Sequence, residues 1–176
     1  MVGYVVGLGD RHGENILFDD SCGDCVHVDL NCLFEKGQTF EVPERVPFRL
    51  THNLVDAMGV TGVEGVFRKS CEVTLNVLRK NRESLMSVLE TFLYDPLCEW
   101  SKGRRNSQLS PESGDAENEL ALRSLKSIDR KLRGYTLSAQ KAGFPLSNEG
   151  QVNELIQQAT SLDNLSRMYI GWAAFM

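Results

Sequence analysis

Seven consecutive residues with no apolar side chain, Gly9-Asp10-Arg11-His12-Gly13-Glu14-Asn15, are followed fourteen residues later by Asp29 in Val28-Asp29-Leu30-Asn31. No other feature constrains the fold as strongly. Ahead of it, Tyr4 to Leu8 are apolar and end in Gly9-Asp10; after it, Ile16-Leu17-Phe18 and Val26-His27-Val28 read as two short strands. Between the strands, Asp19-Asp20-Ser21-Cys22-Gly23-Asp24 is dense in turn formers. The expected order is loop, strand, turn, strand, loop.

Phosphoryl transfer explains these residue types. A nucleophilic hydroxyl needs a carboxylate to orient it and accept its proton, and a triphosphate needs magnesium held by hard oxygens, an Asp and an Asn amide among them. Asp10, Asn15 and Asp29 supply that set. Ordinary protein kinases place the catalytic Asp five positions before the metal-binding Asn, and Asp10 to Asn15 keeps that step, but His12 follows Asp10 instead of preceding it. Asp-Arg-His-x-x-Asn with a downstream strand ending in Asp resembles the phosphatidylinositol-3-kinase-like superfamily. The resemblance implies that Asp10 is the catalytic base, that His12 stabilises the transferring phosphate, and that Asn15 and Asp29 bind ATP through Mg2+, with Mn2+ as an alternative ion. Taken singly, Asp10 or Asn15 reads as a turn residue and His12 as a loop histidine; their joint spacing favours catalysis. His27 and His52 have no such company and read as structural. Asp29-Leu30-Asn31 stands where most kinases have Asp-Phe-Gly. The metal carboxylate is kept, the glycine is lost, and the Asn is a feature of the family's DNA-damage checkpoint branch.

From Leu33 to Arg49 periodicity disappears and Pro43 and Pro47 intervene, as in a long ordered loop with a functional role. Between Cys32 and Glu44 that loop carries one cation, Lys36, against Glu35, Glu41 and Glu44. Gripping a phosphoinositide headgroup takes several cations, so the composition points to a protein hydroxyl as substrate. A net charge of −5 and a pI near 5.3 argue against direct binding to nucleic acid. No stretch reaches the roughly 20 apolar residues that span a bilayer. Cys22, Cys25, Cys32, Cys71 and Cys98 are odd in number and scattered, so reduced thiols are expected. Cys22 and Cys25 have zinc-site spacing, with Cys32 and His27 as the nearby further ligands, but the turn reading is preferred.

Helical spacing begins after Gly62. Val63, Val66, Phe67, Cys71, Thr74, Leu75 and Leu78 form one stripe, and Leu85, Val88, Leu89, Phe92 and Leu93 a second, closed by Asp95-Pro96. Ser101 to Glu119 is almost free of apolar residues and reads as a disordered insert or linker. A helix over Glu119 to Leu132, with Leu122, Leu125, Ile128 and Leu132 inward, stops at Gly134. The last helix starts near Ser147-Asn148, with Asn148 as cap and Gln151 three residues on, and turns Val152, Leu155, Ile156 and Ala159 inward. Leu162, Leu165, Met168, Tyr169 and Trp172 continue the apolar surface; Tyr169, Trp172 and Phe175 are expected to pack on the lobe rather than touch a membrane.

The resemblance extends through Glu41-Val42-Pro43-Glu44-Arg45-Val46-Pro47-Phe48-Arg49-Leu50-Thr51-His52-Asn53, and the end of the chain, from Gly150-Gln151-Val152 to Met168-Tyr169-Ile170-Gly171-Trp172, looks like the FATC segment that closes phosphatidylinositol-3-kinase-related protein kinases. It implies an α+β, mainly α-helical fold: the C-terminal lobe of such a kinase with a helical FATC tail and no N-lobe. The expected divisions are 1–100 for the lobe, 101–144 for a polar insert and regulatory helix, and 145–176 for the tail. By resemblance the parent enzyme is a nuclear serine/threonine kinase that phosphorylates Ser/Thr-Gln sites in DNA-damage and replication-stress checkpoints and DNA repair, with an obligate interacting subunit. The chain begins nine residues before Asp10, ahead of which a phosphate loop, strand lysine and helix glutamate are needed, so little activity is expected of it alone. Two alternatives remain, a non-catalytic interaction module acting through the tail and a metal-dependent hydrolase built on Asp10, His12 and Asp29.

Overall fold

The computed structural model describes residues 1–91, 113–136 and 143–175, with the side chains of 113–120 left aside. The first apolar run folds as a short helix, α1 (Val2–Val6), which ends because Gly7 turns left-handed at φ 69°. A Cβ at Gly7 would lie 2.4 Å from the Glu35 backbone nitrogen, so the close approach of the later loop also requires glycine. The hairpin follows as β1 (Ile16–Phe18) and β2 (Cys25–His27), antiparallel, with Leu17 opposite Val26. The second strand lies one residue earlier than its apolar pattern suggested. Asp19 shapes the turn by accepting the Ser21 N–H at 2.8 Å.

The loop after β2 is irregular, as expected, apart from a 3-10 turn over Lys36–Thr39. Helix α2 (His52–Ala57) is short and was not expected; α3 (Val66–Lys80) and α4 (Arg82–Thr91) follow. The α3 stripe buries Cys71 and Leu75, but Val66, expected inward, is 82% exposed because it opens the helix. Val88 on α4 is likewise exposed, while Leu89 is buried. The expected end of α4 at Asp95-Pro96 and residues 101–112 of the polar stretch lie outside the described residues.

Helix α5 (Ser113–Leu132) starts six residues before the expected Glu119, so the polar stretch is helical from Ser113. Leu125, Ile128 and Leu132 are buried as expected, whereas Leu122 is 46% exposed. Gly134, at φ 93°, ends the run. Helix α6 (Asn148–Thr160) is capped by Ser147, whose hydroxyl accepts the Gly150 N–H at 3.0 Å. Asn148, expected as cap, is the first helical residue. A short helix α7 (Leu162–Ser166) and a 3-10 turn (Ile170–Trp172) complete the tail.

The main core joins Tyr4 and Val5 of α1, Leu50, Leu75 of α3, Leu125, Ile128 and Leu132 of α5, and Val152, Leu155, Ile156 and Ala159 of α6. A smaller cluster of Leu165, Met168, Trp172 and Ala174 closes on Val46 of the loop. Leu162, Tyr169 and Phe175 are exposed instead of joining it. Gln151, expected to serve the α6 cap, is fully buried. Its amide oxygen accepts from Arg79, and its NH2 donates to the Tyr4 hydroxyl at 3.2 Å and the Lys131 carbonyl at 3.0 Å. One amide therefore ties α1, α3, α5 and α6 together. No described helix is long and apolar enough to cross a membrane.

Candidate active site

Arg11, to which sequence reasoning gave no separate role, organises the site. Its side chain is 4% exposed and donates to the carbonyls of Gly9 at 2.8 Å, Asn15 at 3.2 Å and Val28 at 2.7 Å, and to that of Asp29. A planar guanidinium is the side chain best suited to hold several acceptors at fixed angles. It fastens the loop of Asp10 to the strand end of Asp29, which are far apart in sequence.

Asn15 is buried, and its side-chain NH2 donates to the Asp10 carbonyl at 2.8 Å. That bond fixes the amide and leaves its oxygen as the end that can bind a cation. Asp29 is exposed at φ 52°, with one carboxylate oxygen accepting the Asn31 N–H at 3.2 Å. One carboxylate and one amide oxygen are the hard donors Mg2+ takes when substrate phosphates complete its shell, so these residues fit the expected ion. Among the described residues no three His, Cys, Asp or Glu side chains converge as a metal-binding group. The zinc-like spacing is not realised: Cys22 and Cys25 lie exposed on the hairpin and Cys32 is buried.

His12 caps the 3-10 turn Gly13–Asn15, its Nδ1 accepting the Glu14 N–H at 3.3 Å. With Nδ1 engaged as acceptor, a neutral ring carries its proton on Nε2. His12 and Asp10 both line a cleft of about 250 Å3, together with Phe40, Glu41, Val42 and Glu44 of the long loop and Met168, Tyr169, Gly171 and Trp172 of the tail. A larger groove of about 690 Å3 lies beyond Glu44, between that loop and α5, and includes neither Asp10 nor His12. His27 and His52 line neither space.

The tail is fixed to this cleft by Arg49. Its guanidinium lies 4.5 Å from the Trp172 ring and donates to the carbonyls of Trp172 at 2.6 Å, Ala173 at 2.9 Å and Arg11 at 3.4 Å. Burial and then the neighbouring carboxylates of Glu44 and Asp10 push the Cys32 thiol up to about 11. Asp10, Glu41 and Glu44 make the cleft acidic. Nothing in the residue pattern singled out Arg49 or Arg11; a buried arginine is recognised only through its carbonyl partners.

A helical lobe whose loop ahead of the hairpin turns Asp10 and His12 into a cleft closed by the tail, while Asn15 and Asp29 flank the hairpin outside the lining of that cleft, is that of a kinase C-terminal lobe. Residues 1–102 match the phosphatidylinositol 3- and 4-kinase family and residues 145–176 the FATC domain, and the chain belongs to that family. It is 54% identical to the serine/threonine-protein kinase ATR of Arabidopsis thaliana over 98% of this chain and 6% of the relative. It is 55% identical to protein kinase rad3 of Schizosaccharomyces pombe over 99% of this chain and 7% of the relative, and 49% identical to the ATR kinase of Drosophila melanogaster over its whole length and 6% of the relative. The solved FAT and kinase domain of CtTel1 superposes with a TM-score of 0.81 at 43% identity, covering 99% of this chain and 11% of that one. The chain therefore spans 6 to 7% of the length of these curated relatives.

Proposed function

We propose that this chain is the catalytic C-terminal part of an ATR-type serine/threonine kinase that transfers the γ-phosphate of ATP to Ser or Thr followed by Gln, in nuclear checkpoint signalling from damaged or stalled DNA. The observation that carries the reading is that Asp10 and His12 face one cleft in a chain about half identical to ATR kinases along nearly its whole length. In that cleft Asp10 accepts the proton of the attacking hydroxyl, and His12 presents Nε2–H to the charge that develops on the transferred group. Asn15 and Asp29 would hold Mg2+ through their amide and carboxylate oxygens, and the ion would supply charge neutralisation for the phosphates of ATP. The walls of the cleft support a protein substrate over a lipid one: Phe40, Glu41, Val42 and Glu44 bring apolar and acidic groups and no cation. An ATR-interacting subunit is the expected partner of the complete kinase.

In a full-length kinase carrying this segment, Asp10→Ala should lower turnover of a Ser-Gln peptide by roughly 10²- to 10⁴-fold, the range for losing an acid/base group. Unchanged turnover would show that the base is elsewhere. A Ser-Ala peptide processed as fast as the Ser-Gln peptide would refute the sequence preference.

A further inference from the structure

We propose that Glu44 is a positioning residue for Asp10, holding the catalytic turn in its left-handed conformation. Asp10 sits at φ 58°, in the left-handed region that is uncommon outside glycine although Asp enters it more readily than most residues. The hold is specific: the Asp10 backbone N–H donates to Glu44 Oε1 at 2.8 Å across 34 residues of sequence.

Glu44 is itself seated firmly. Its own N–H donates to the Gly37 carbonyl at 3.0 Å. Its carboxylate occupies the space over two glycines, where a Cβ on Gly9 would come within 2.4 Å of Oε2 and one on Gly37 within 1.9 Å. With Glu44 in this position, neither residue has room for a Cβ unless the carboxylate shifts. The Trp172 indole N–H is buried with no hydrogen bond of normal geometry, and Glu44 is the acidic group it faces. Tail, loop and catalytic turn thus meet at one carboxylate.

Stability alone does not favour the arrangement. Burial penalises the Glu44 charge, and the adjacent Asp10 carboxylate opposes it further. Local conflicts of this kind gather at functional sites. Here the return is the orientation of Asp10, since a displacement of about 1 Å at a reacting group costs on the order of 10²-fold in rate.

The inference rests on the proposed kinase reading, and full-length kinase carrying Glu44→Gln, Glu44→Met, Glu44→Asp or Asp10→Ala separates the two. Steady-state kinetics with ATP and a Ser-Gln peptide are read beside thermal melts. The Gln variant keeps an oxygen acceptor for the Asp10 N–H and should stay within about three-fold of the parent kcat. The Met variant has similar length without an acceptor and should lose roughly 10- to 100-fold in kcat with KM for both substrates nearly unchanged. The Asp variant keeps the charge but is one carbon too short, and should lose roughly ten-fold even if the Met variant does not fold. Equal kcat for Gln and Met, a parent-like Asp variant, or a loss confined to KM overturns the role of Glu44. Should Asp10→Ala retain full turnover, the kinase assignment of the site falls instead.

Discussion

At the scale of the residue, the site depends on side chains that act on backbone. Arg11 satisfies four carbonyls at once, and a lysine cannot copy that planar fork. Each buried carbonyl left unpaired costs about 1–3 kcal/mol. Arg11→Lys is therefore expected to lower unfolding free energy by about 2 kcal/mol or more in denaturant melts, and to cut turnover in the full-length kinase by roughly 10²-fold as Asp29 loses its register with Asp10. A variant with parental stability and rate would remove Arg11 from its organising role. The spacing of Asp10, His12, Asn15 and Asp29 could be read as a candidate site because it is local, and their roles were expected from the family resemblance. The bonds of Arg11, Arg49 and Glu44 were not, since each joins segments that the chain separates and only folding brings together.

At the scale of the element, helices were legible wherever periodicity ran for several turns, and their ends were not. Helix α2, at six residues, is too short to display a period. Helix α5 begins in polar sequence, where low hydrophobicity says little about helicity. Its anchor to the long loop is an ion pair that no pattern displays: Lys131 Nζ lies 2.8 Å from Glu35 Oε1 and donates to the Tyr4 carbonyl at 2.9 Å, while the Ser127 hydroxyl donates to Glu35 at 2.9 Å. Burial works to raise the Glu35 carboxyl, but Lys131 and Ser127 hold it below its ordinary value, and burial pushes Lys131 down. A carboxyl held low contributes stability above its unfolded value of 4.5 and loses it as the pH falls through the folded value. The thermal midpoint should therefore decline below about pH 4.5, and Glu35→Gln should flatten that decline. At neutral pH the same variant leaves Lys131 buried without a counter-charge and should cost roughly 3 kcal/mol. A pH profile identical to the parent's would refute the pairing.

At the scale of the whole molecule, the tail is part of the core and not an arm attached to it. Val152, Leu155, Ile156 and Ala159 lie in the main cluster with Tyr4, Leu75 and Ile128, and Trp172 is seated against Arg49. This weighs against a separable interaction module. Deleting residues 150–176 should abolish cooperative thermal unfolding, read by circular dichroism, rather than remove one binding surface from an intact fold. A truncated chain that still melts cooperatively near the parent midpoint would restore the module reading. The sequence by itself determined the hairpin, the longer periodic helices and the membership of the chain and its tail in one kinase family, because these depend on residue identity at short spacing. Only the tertiary structure decided that Arg11 joins the two halves of the site, that Glu44 and Trp172 stand beside Asp10, and that Gln151 lies in the core. Those choices follow from hydrogen-bond satisfaction and close packing between distant segments, which no local stretch of sequence encodes.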